Sequence, residues 1–493
     1  MSDVREVVVL VLVGMVLLGG VPALAAFYQF TLLIRHRWHD HYSEVDPSLL
    51  PRLAILVPAW NEELVLRHSV DAMMRLDYPD DRLRLVVIDD ASTDGTPELM
   101  ASKERDYPGR VTCLRREQGG QGKSHTLNHG LREVLADPWT EAVLITDADV
   151  VFQPTAIRRM VRHLADPHVG SVSAFIREAS EDPNWLNRSV GYEYVVAQAA
   201  ARRAQNVIGV QACLAGGAQL HTRANLEQQG GCIDTSTLAE DTVTTFLTQM
   251  HGRLVVFDGN AECLAEEPRD IHGLWKQRLR WSRGNIQVTR RFASVFFHRS
   301  DQHSLGNVWF GVQWFATLLL PVFAMVSSVA LLGLWFLDGS TALSAFQWTF
   351  AFTAAGFIFS TFYSLALDPR MARVSWFQAI TFPGLVSLAI LVWAIAPGPT
   401  QNLVDVAVPR SSVDLSSLLL AAYLWQSLCM VMAWAVYRAE RAGLPAPLVA
   451  LLMLFVGYGP LLCAITFAAY VAEARGAANT WEKTEKTGRA VLV

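Results

Sequence analysis

The sequence predicts an α/β domain with an open, mostly parallel, Rossmann-like sheet, joined to an α-helical transmembrane module. Two observations predict this combination. Between Arg52 and about Val256, short apolar runs alternate with amphipathic stretches, which is typical of parallel strands flanked by helices. On both sides of that region lie apolar runs of about 20 residues or more, the length that crosses a bilayer.

Composition agrees with a membrane protein and argues against nucleic-acid binding. Hydrophobic residues make up 52% of the 493 residues and charged residues 18%, which is too apolar for a wholly soluble protein. The formal net charge of -5 gives no basic footprint for nucleic acid. The six cysteines follow neither a metal-binding spacing nor a disulfide framework, so a reducing cytosolic environment fits them better.

The N-terminal segment predicts a retained membrane anchor. Residues 7–34 form an almost unbroken apolar run, longer than the apolar core of a cleaved signal peptide. Arg35, His36 and Arg37 follow it directly. Because positive residues beside a span mark its cytoplasmic end, we expect the downstream domain in the cytoplasm.

Five short apolar runs predict the strands of the sheet, at residues 53–58, 83–90, 111–114, 142–147 and 170–176. Ligands of an open parallel sheet bind beyond the carboxyl ends of its strands. Polar residues of this chain follow those ends: Asn61 and Glu62, then Asp90, then Asp147 and Asp149. We therefore expect these residues to share one site.

Two amphipathic stretches, residues 185–207 and 272–298, mix apolar, aromatic and arginine residues without a fully apolar span. Their pattern predicts helices that lie in the plane of the membrane interface. Ordinary surface helices packed on the sheet are the alternative, and the sequence leaves it open.

Five apolar runs beyond Asn307 predict membrane helices, at residues 308–337, 345–367, 377–396, 415–436 and 447–471. The third is interrupted by Pro383 and Gly384, so we interpret it as interfacial or re-entrant. This interpretation returns the C-terminal tail to the cytoplasm. It also places Arg438 and Arg441 on the outer side, against the usual distribution of positive charge, and the topology therefore stays open.

Two carboxylates, Asp147 and Asp149, end the fourth predicted strand. Hard oxygen ligands suit Mg²⁺ or Mn²⁺, and such a cation neutralises a diphosphate that must depart. The pair predicts a divalent-metal site, with Asp149 as the principal ligand and Asp147 also contacting a nucleotide sugar. A turn that merely contains two aspartates is the alternative.

Other candidate nucleotide-binding residues follow the first two strands or begin a helix. Pro58, Asn61 and Glu62 end the first strand, and the Asp90 carboxylate suits a uracil N–H or a ribose hydroxyl. Lys123 follows a glycine-rich stretch at a predicted helix start, where it would meet a phosphate or the base. A solvated lysine on a flexible loop explains Lys123 nearly as well.

A pair of acidic residues, Glu240 and Asp241, opens a helix-like stretch. A transfer that inverts an anomeric centre needs a base for the proton of the acceptor hydroxyl, and Asp241 is our candidate. Glu240 completes the candidate catalytic pair. A helix cap is the alternative explanation for Asp241.

The most specific short motif occupies residues 277–281. Arginine presents forked donors to a diphosphate, and tryptophan presents an apolar face to a sugar ring. We therefore expect Gln277, Arg278 and Arg280 at the diphosphate and Trp281 at the acceptor. A basic amphipathic helix that binds anionic lipid would explain the arginines alone.

From residue 53 to residue 281 the chain resembles the membrane-embedded processive synthases of glycosyltransferase family 2, which make cellulose, chitin, hyaluronan and poly-N-acetylglucosamine. Those enzymes carry a GT-A domain with an acidic uridine contact, which Asp90 matches. They also carry a metal-binding Asp-x-Asp, which Asp147 and Asp149 match.

Further motifs of that family recur. Residues 239–241 keep both acids of the Thr-Glu-Asp motif, whose Asp is the base, but begin with Ala. Residues 277–281 match the Gln-(Gln/Arg)-x-Arg-Trp motif in full. Residues 481–486 are similar to the Phe-x-Val-Thr-x-Lys gating loop, with Trp for Phe and Lys for Val, which implies that Lys486 helps hold the diphosphate.

The resemblance implies a domain layout and an activity. The expected domains are an anchor (1–40), a GT-A domain (50–270), interface helices with the 277–281 motif (271–304), transmembrane channel helices (305–475) and a gating-loop-like tail (476–493). The expected activity is polymerisation of a UDP-sugar, first UDP-N-acetylglucosamine and second UDP-glucose, onto a growing polysaccharide at the bilayer. The sequence does not indicate accessory subunits.

Two rival functions stay open at this point. A non-processive family 2 transferase would move one sugar to a lipid acceptor. A transporter or receptor with a nucleotide-sensing domain would bind the nucleotide sugar without turnover, although the apolar runs contain few of the intramembrane charges that mark ion-coupled transport.

Overall fold

The computed structural model describes residues 2–38, 45–396, 398 and 415–479. The chain forms two compact units. The first comprises Met1–Thr31 and Val312–Ala474, and the second comprises Leu32–Gly311 and Arg475–Val493. The second is an α/β domain and the described part of the first is helical, as predicted.

An eight-stranded sheet forms the centre of the α/β unit, in the order β3-β2-β1-β4-β7-β6-β8-β5. The strands are β1 Leu53–Ala59, β2 Leu83–Asp89, β3 Val111–Arg115, β4 Ala142–Ile145, β5 Val151–Phe152, β6 Val169–Glu178, β7 Gln219–Thr222 and β8 Leu254–Ala265. Strands β3, β2, β1 and β4 are mutually parallel, and so are β6 and β8. Strand β7 runs antiparallel to β4 and β6, and β5 antiparallel to β8. The sheet is therefore mixed but largely parallel.

The α-helices of the described residues are α1 Ser2–Leu18, α2 Val21–Trp38, α3 Glu63–Met74, α4 Thr96–Asp106, α5 Lys123–Ala136, α6 Ala156–Val161, α7 Trp185–Tyr194, α8 Ala201–Val207, α9 Arg223–Gln228, α10 Glu240–Met250, α11 Ile271–Arg291, α12 Val308–Leu318, α13 Leu320–Leu337, α14 Gly339–Leu367, α15 Pro369–Ile380, α16 Leu385–Ile395, α17 Leu415–Arg441, α18 Ala446–Val456 and α19 Tyr458–Ala474. A π-helical segment, Val195–Ala200, joins α7 to α8. These two helices pack on β6 and β8, which is the alternative arrangement for residues 185–207.

Strands β1 and β4 consist of apolar residues because both faces of the sheet are covered there. Alternate side chains of β1 point to opposite faces. Leu53 and Ile55 join a buried cluster with residues of α3, whereas Ala54 and Leu56 join a separate cluster with residues of α5. Polar groups are consequently accommodated at strand ends, where the candidate site residues lie.

Three helices of the membrane-like unit are long and apolar enough to cross a bilayer: α13, α14 and the Ser417–Arg441 part of α17. Three helix pairs meet that criterion only jointly, because each bends at a short break: α1–α2 by 43°, α15–α16 by 76° and α18–α19 by 91°. By length and composition the described residues thus contain up to six spans.

Two of the spans predicted beyond Asn307 are wrong as continuous helices, and the predicted anchor, residues 7–34, is divided between α1 and α2. The run 308–337 is divided at Leu319, because Pro321 begins the next helix and lacks the N–H that would continue the previous one. The run 447–471 is divided at Gly457, whose φ of 103° is outside the helical region. The predicted interruption at Pro383 and Gly384 is confirmed, since α15 ends before it and α16 begins after it.

The breaks of α15–α16 and α18–α19 meet, and we call this contact the paired helix breaks. Gly384 and Gly457 both have positive φ values, of 85° and 103°. A Cβ on Gly384 would lie 2.4 Å from the Val456 carbonyl carbon, and a Cβ on Gly457 would lie 2.4 Å from the Pro383 carbonyl carbon. The amide of Gly459 donates a hydrogen bond of 2.9 Å to the Phe382 carbonyl. Each break therefore requires glycine so that the other can approach.

Candidate active site

Three predicted residues from three parts of the sequence, Lys123, Asp147 and Asp241, converge on the dipeptide Gly216–Gly217, and Glu240 lies near Lys123. The ammonium of Lys123, at the start of α5, lies 2.5 Å from Asp147 Oδ1 and donates to the Gly216 carbonyl at 2.9 Å. It also lies 4.0 Å from Glu240 Oε1, at the start of α10. We call Lys123, Asp147, Glu240 and Asp241 the acidic cluster.

The two glycines are so close to the carboxylates that an added side chain would require the neighbouring groups to move. A Cβ on Gly216 would lie 2.9 Å from Asp241 Oδ2, and a Cβ on Gly217 would lie 3.1 Å from Asp147 Oδ2. The first of these distances is one that real Cβ atoms essentially never show, so a larger residue would displace Asp241. The sequence analysis did not identify either glycine, although paired glycines before a strand are a recognisable signal of close backbone approach.

Charge compensation holds the acidic cluster together. Burial alone would lower the pKa of Lys123, but Asp147 and Glu240 raise it above its ordinary value, so the ammonium stays charged. Burial and the neighbouring Asp241 raise the pKa of Glu240, and the positive charges of Lys123 and Arg280 oppose that rise. Arg280 of α11 therefore acts electrostatically on the start of α10.

The donor set at the end of β4 fits a cation that is shared with a phosphorylated substrate. Asp147 and Asp149 offer carboxylate oxygens and are both partly exposed. Within the described residues, no group of three His, Cys, Asp or Glu side chains is placed to enclose a metal. Mg²⁺ characteristically binds through one or two carboxylates and completes its shell with water and substrate phosphates, which is what this pair provides.

Asp90 follows β2 directly and lies in a cradle that the sequence analysis only partly identified. Its Oδ1 accepts a hydrogen bond from Arg116, and its Oδ2 accepts one of 3.0 Å from the Gly120 amide. A Cβ on Gly119 would overlap the Asp90 carbonyl, so that glycine is required. Arg116 was not predicted as a site residue. It supplies a buried cation where the base of a nucleotide was expected.

Hydrogen bonds join the segment after β1 to the segment after β2. Asn61 Oδ1 accepts from the Thr93 amide at 2.8 Å, and the Glu62 amide donates to Thr96 Oγ1 at 2.9 Å. Asn61 and Ala91 both have positive φ, of 55° and 58°, and Ala91 stores strain there because its Cβ disfavours that conformation. Pro58 lies within β1 opposite Ile88 of β2. These residues thus shape the strand ends beside Asp90.

Helix α11 presents the 277–281 motif in two environments. Gln277 and Arg278 are buried, and the Arg278 guanidinium forms two hydrogen bonds, of 2.9 and 3.1 Å, with Glu193 of α7. Trp281 is 36% exposed. Gln277 and Arg278 contact other side chains of the protein. Arg280 instead acts electrostatically on Glu240 of the acidic cluster.

The beginning of the C-terminal tail is anchored on α11. Arg283 donates to the carbonyls of Ala477 and Ala478 at 2.7 and 3.0 Å, and Gln287 donates to Asn479 Oδ1 at 2.9 Å. Gln287 also accepts from the amide of Leu238, close to the acidic cluster. The predicted gating-loop-like residues 481–486, including Lys486, lie outside the described residues.

Comparison with known proteins identifies the domain. Residues 51–284 match the family described as glycosyltransferase like family 2. A probable glycosyltransferase of Bacillus subtilis is 29% identical over 297 residues, which cover 60% of this chain and 68% of the relative. A poly-beta-1,6-N-acetyl-D-glucosamine synthase of Staphylococcus epidermidis is 24% identical over 355 residues, which cover 69% of this chain and 82% of the relative.

Two further similarities are to another curated relative and to a solved structure. A beta-monoglucosyldiacylglycerol synthase of Synechocystis is 32% identical over 238 residues, which cover 48% of each chain. The solved structure of a mannosyltransferase from Pyrobaculum calidifontis, in complex with GDP-Man and Mn²⁺, aligns with a TM-score of 0.54 and 24% identity, over 81% of this chain and 99% of that one. At this identity the likeness establishes the fold, and the predicted GT-A fold is confirmed.

Proposed function

Because residues 51–284 form a family 2 glycosyltransferase domain and the chain is a glycosyltransferase, we propose that it polymerises a UDP-sugar into a β-linked polysaccharide at a membrane. The observation that carries this proposal is the convergence of Asp147, Lys123 and Asp241 on Gly216–Gly217, next to a helix that exposes Trp281. The nucleotide-sensing transporter or receptor is excluded as a description of the domain.

The chemistry follows from the positions of the charged groups. Asp241 accepts the proton of the acceptor hydroxyl as that oxygen forms a bond to the anomeric carbon of the donor. The bond from this carbon to the diphosphate breaks at the same time, and its electron pair leaves with UDP. Inversion at the anomeric carbon follows because the acceptor attacks opposite the leaving group. Arg280 stabilises the departing diphosphate.

A divalent cation fits this scheme. Mg²⁺ or Mn²⁺, held by Asp149 and Asp147, would supply neutralisation of the diphosphate charge. Lys123 keeps Asp147 and Glu240 in place in the same cluster, and Asp90 with Arg116 lies where the base of the donor would bind. Asn61, Glu62 and Pro58 shape that end of the sheet.

The acceptor is the point on which two candidate functions differ. A polysaccharide acceptor agrees with the name of the Staphylococcus epidermidis relative and favours UDP-N-acetylglucosamine as donor. A single transfer to a lipid agrees with the Synechocystis relative, which has the higher identity over a shorter alignment. We propose polymerisation because the 277–281 motif provides an exposed tryptophan for an acceptor sugar.

We also propose that the protein is an integral membrane protein whose catalytic domain faces the cytoplasm. Three to six apolar helices in the described residues support membrane insertion. Residues 35–37 provide the positive charges expected at a cytoplasmic boundary. UDP-sugars would then reach the active site from the cytoplasm, and the helices that cross the bilayer would form the polymer channel.

A donor screen tests the proposal. Full-length protein in detergent is incubated with UDP-N-acetylglucosamine, UDP-glucose or GDP-mannose, with Mg²⁺, Mn²⁺ or EDTA, and the release of nucleoside diphosphate and product size are measured. We expect turnover with a UDP-sugar, no turnover in EDTA and a long polymer as product. A product with one sugar per lipid would contradict polymerisation and favour the alternative function, a single transfer to a lipid.

Asp241→Asn tests the assignment of the base. We expect turnover to fall about 10²- to 10⁴-fold, the usual contribution of a positioned base. Asp81→Asn is the matched control, because Asp81 is an exposed aspartate in a short helix of the same unit. Full turnover by Asp241→Asn would contradict the assignment.

A further inference from the structure

The guanidinium of Arg278 is held from several sides. Nη2 and Nε donate to the two carboxylate oxygens of Glu193 at 2.9 and 3.1 Å, and Nη1 donates to Gln277 Oε1 at 2.5 Å. The Arg278 side chain is 5% exposed and that of Glu193 is 16% exposed. This forked pairing fixes both the position and the plane of the guanidinium.

A second carboxylate extends the network to another part of the chain. Gln277 Nε2 donates to Glu267 Oε2 at 3.1 Å, and the Tyr194 hydroxyl donates to Glu267 Oε1 at 2.5 Å. Glu267 lies between β8 and α11, and Glu193 and Tyr194 form the last turn of α7. The network therefore joins α7, the segment after β8, and α11.

The fixed guanidinium lies over the indole of Trp281. Its Cζ is 4.0 Å from the ring centroid, within the range of a cation–π contact. The two residues are three positions apart on α11 and are therefore neighbours on one side of the helix. Since an indole has two faces, Arg278 covers one of them, and the exposed part of Trp281 lies elsewhere on the ring.

We propose that Arg278 is a positioning residue for Trp281, and that Glu193 holds it in that place. The pair of Glu193 and Arg278 orients the indole so that its uncovered face receives the acceptor sugar. This proposal rests on the proposed function for the acceptor, and it differs from the sequence-based expectation that Arg278 contacts the diphosphate. The orientation of the indole is testable without any activity.

Removing Arg278 alone would leave the buried Glu193 carboxylate without its cation, which typically destabilises a protein strongly. The test therefore uses the double variant Glu193→Gln/Arg278→Gln, which removes both charges together. Its matched control is Arg177→Gln/Glu262→Gln, which removes another partly buried arginine–glutamate pair of the same unit, with side chains 15% and 21% exposed.

The first measurement is hydroxyl-radical footprinting of the full chain in detergent, read by mass spectrometry at Trp281. We expect oxidation of Trp281 to rise about twofold in the double variant, because the indole face that Arg278 covers in the wild type becomes accessible. The control variant should match the wild type. An unchanged oxidation rate in the Glu193→Gln/Arg278→Gln variant would overturn the proposal, whether or not the protein transfers sugar.

The second measurement separates acceptor from donor effects, with UDP-N-acetylglucosamine as donor and free N-acetylglucosamine as acceptor. In the double variant we expect the acceptor KM to rise about fivefold, a size typical of losing one cation–π contact, while the donor KM and the rate of donor hydrolysis stay unchanged. The triple variant, which combines the double variant with Trp281→Ala, should have the same acceptor KM as Trp281→Ala alone, because Arg278 acts through Trp281.

The outcomes distinguish failure of this proposal from failure of the proposed function. A raised donor KM with slower donor hydrolysis would assign Arg278 to the diphosphate and overturn the positioning role. Additive losses on combination with Trp281→Ala would overturn it as well. A wild-type protein that transfers no sugar from any donor would contradict the proposed function. Footprinting alone would then decide whether Arg278 positions Trp281.

Discussion

At the scale of single residues, the active site depends on groups that the sequence reveals unequally. Asp147 and Asp241 were predicted because acidic residues at strand and helix ends have a recognisable chemistry. Gly216 and Gly217, on which these carboxylates converge, carry no chemistry of their own and were missed. Glu193 was also missed, because its partner Arg278 is distant in the sequence and only the fold brings the two together.

Gly216→Ala is expected to impair transfer while leaving the fold intact. The new Cβ would lie 2.9 Å from Asp241 Oδ2, so the carboxylate of the candidate base must move. A displacement of a catalytic group by about 1 Å commonly costs about 10²-fold in rate. The measurement is turnover alongside the thermal midpoint of unfolding. A variant with normal turnover, or one that loses activity only because it unfolds, would contradict this prediction.

A buried histidine makes stability depend on pH. His221 Nε2 donates to Gln219 Oε1 at 3.2 Å, and its Nδ1 accepts from the Ser171 hydroxyl at 2.8 Å, so the ring is neutral. Burial lowers the pKa of His221 to about 3, from an ordinary value of 6.5. Below pH 6.5 the unfolded chain gains a proton that the folded chain does not, which costs the folded state about 1.4 kcal/mol per pH unit.

His221→Gln removes this dependence. At pH 7.5 the wild type should unfold at the higher temperature, because it keeps the hydrogen bonds of His221. The difference in thermal midpoint should shrink as the pH falls from 6.5 to 5. A constant difference over that range would show that the pKa of His221 is not lowered in the folded state.

At the scale of elements, the sequence predicted the parallel half of the sheet better than the rest. Strands β1 and β2 begin at the predicted residues because their apolar runs are buried on both faces. Strands β5, β7 and β8 were not predicted, because β5 has only 2 residues, β7 has a single apolar residue among its 4, and Asp258, Gly259 and Asn260 interrupt β8. The break in residues 447–471 was missed because the run was interpreted from its hydropathy, although Gly457, Gly459 and Pro460 mark it.

Substitutions at the paired helix breaks should destabilise the membrane-like unit. Gly457→Ala combines a φ of 103° with a Cβ 2.4 Å from the Pro383 carbonyl carbon, and both elements would have to move. We expect a loss of about 3 kcal/mol or more, the range for strain combined with overpacking. Gly339→Ala is the control, since nothing lies within 4 Å of its added Cβ. Equal thermal midpoints for the two variants in detergent would refute this expectation.

At the scale of the whole molecule, the path of the chain limits its topology. The chain leaves the α/β unit at Gly311 and re-enters it at Arg475, where residues 477–479 bond to α11. If the protein is inserted in a bilayer as proposed, the helices between these two points cross it an even number of times. Among the described residues between these points, three single spans and two bent pairs would make five crossings, so we infer that one bent pair does not cross. We infer that it is α15–α16, because α15 contains Arg370 and Arg373, whereas α18 contains no charged residue.

This topology places the turn between α17 and α18 on the outer side. Ala442→Cys should then react with a membrane-impermeant maleimide in intact cells, because Ala442 is exposed in that turn. The native Cys232, exposed on the α/β unit, is the internal control and should react only after permeabilisation. Protection of the new cysteine in intact cells would instead make α18–α19 the pair that does not cross.

The paired helix breaks also have a consequence for biogenesis. The ribosome makes α15 and α16 well before α19. In the nascent chain, the Phe382 carbonyl therefore lacks the hydrogen bond from the Gly459 amide until α19 has been made. We therefore expect insertion of the first pair to stay incomplete until α19 has been synthesised. A chain arrested within α17 should be held by the translocon or degraded by quality-control proteases, rather than accumulate as a stable fragment.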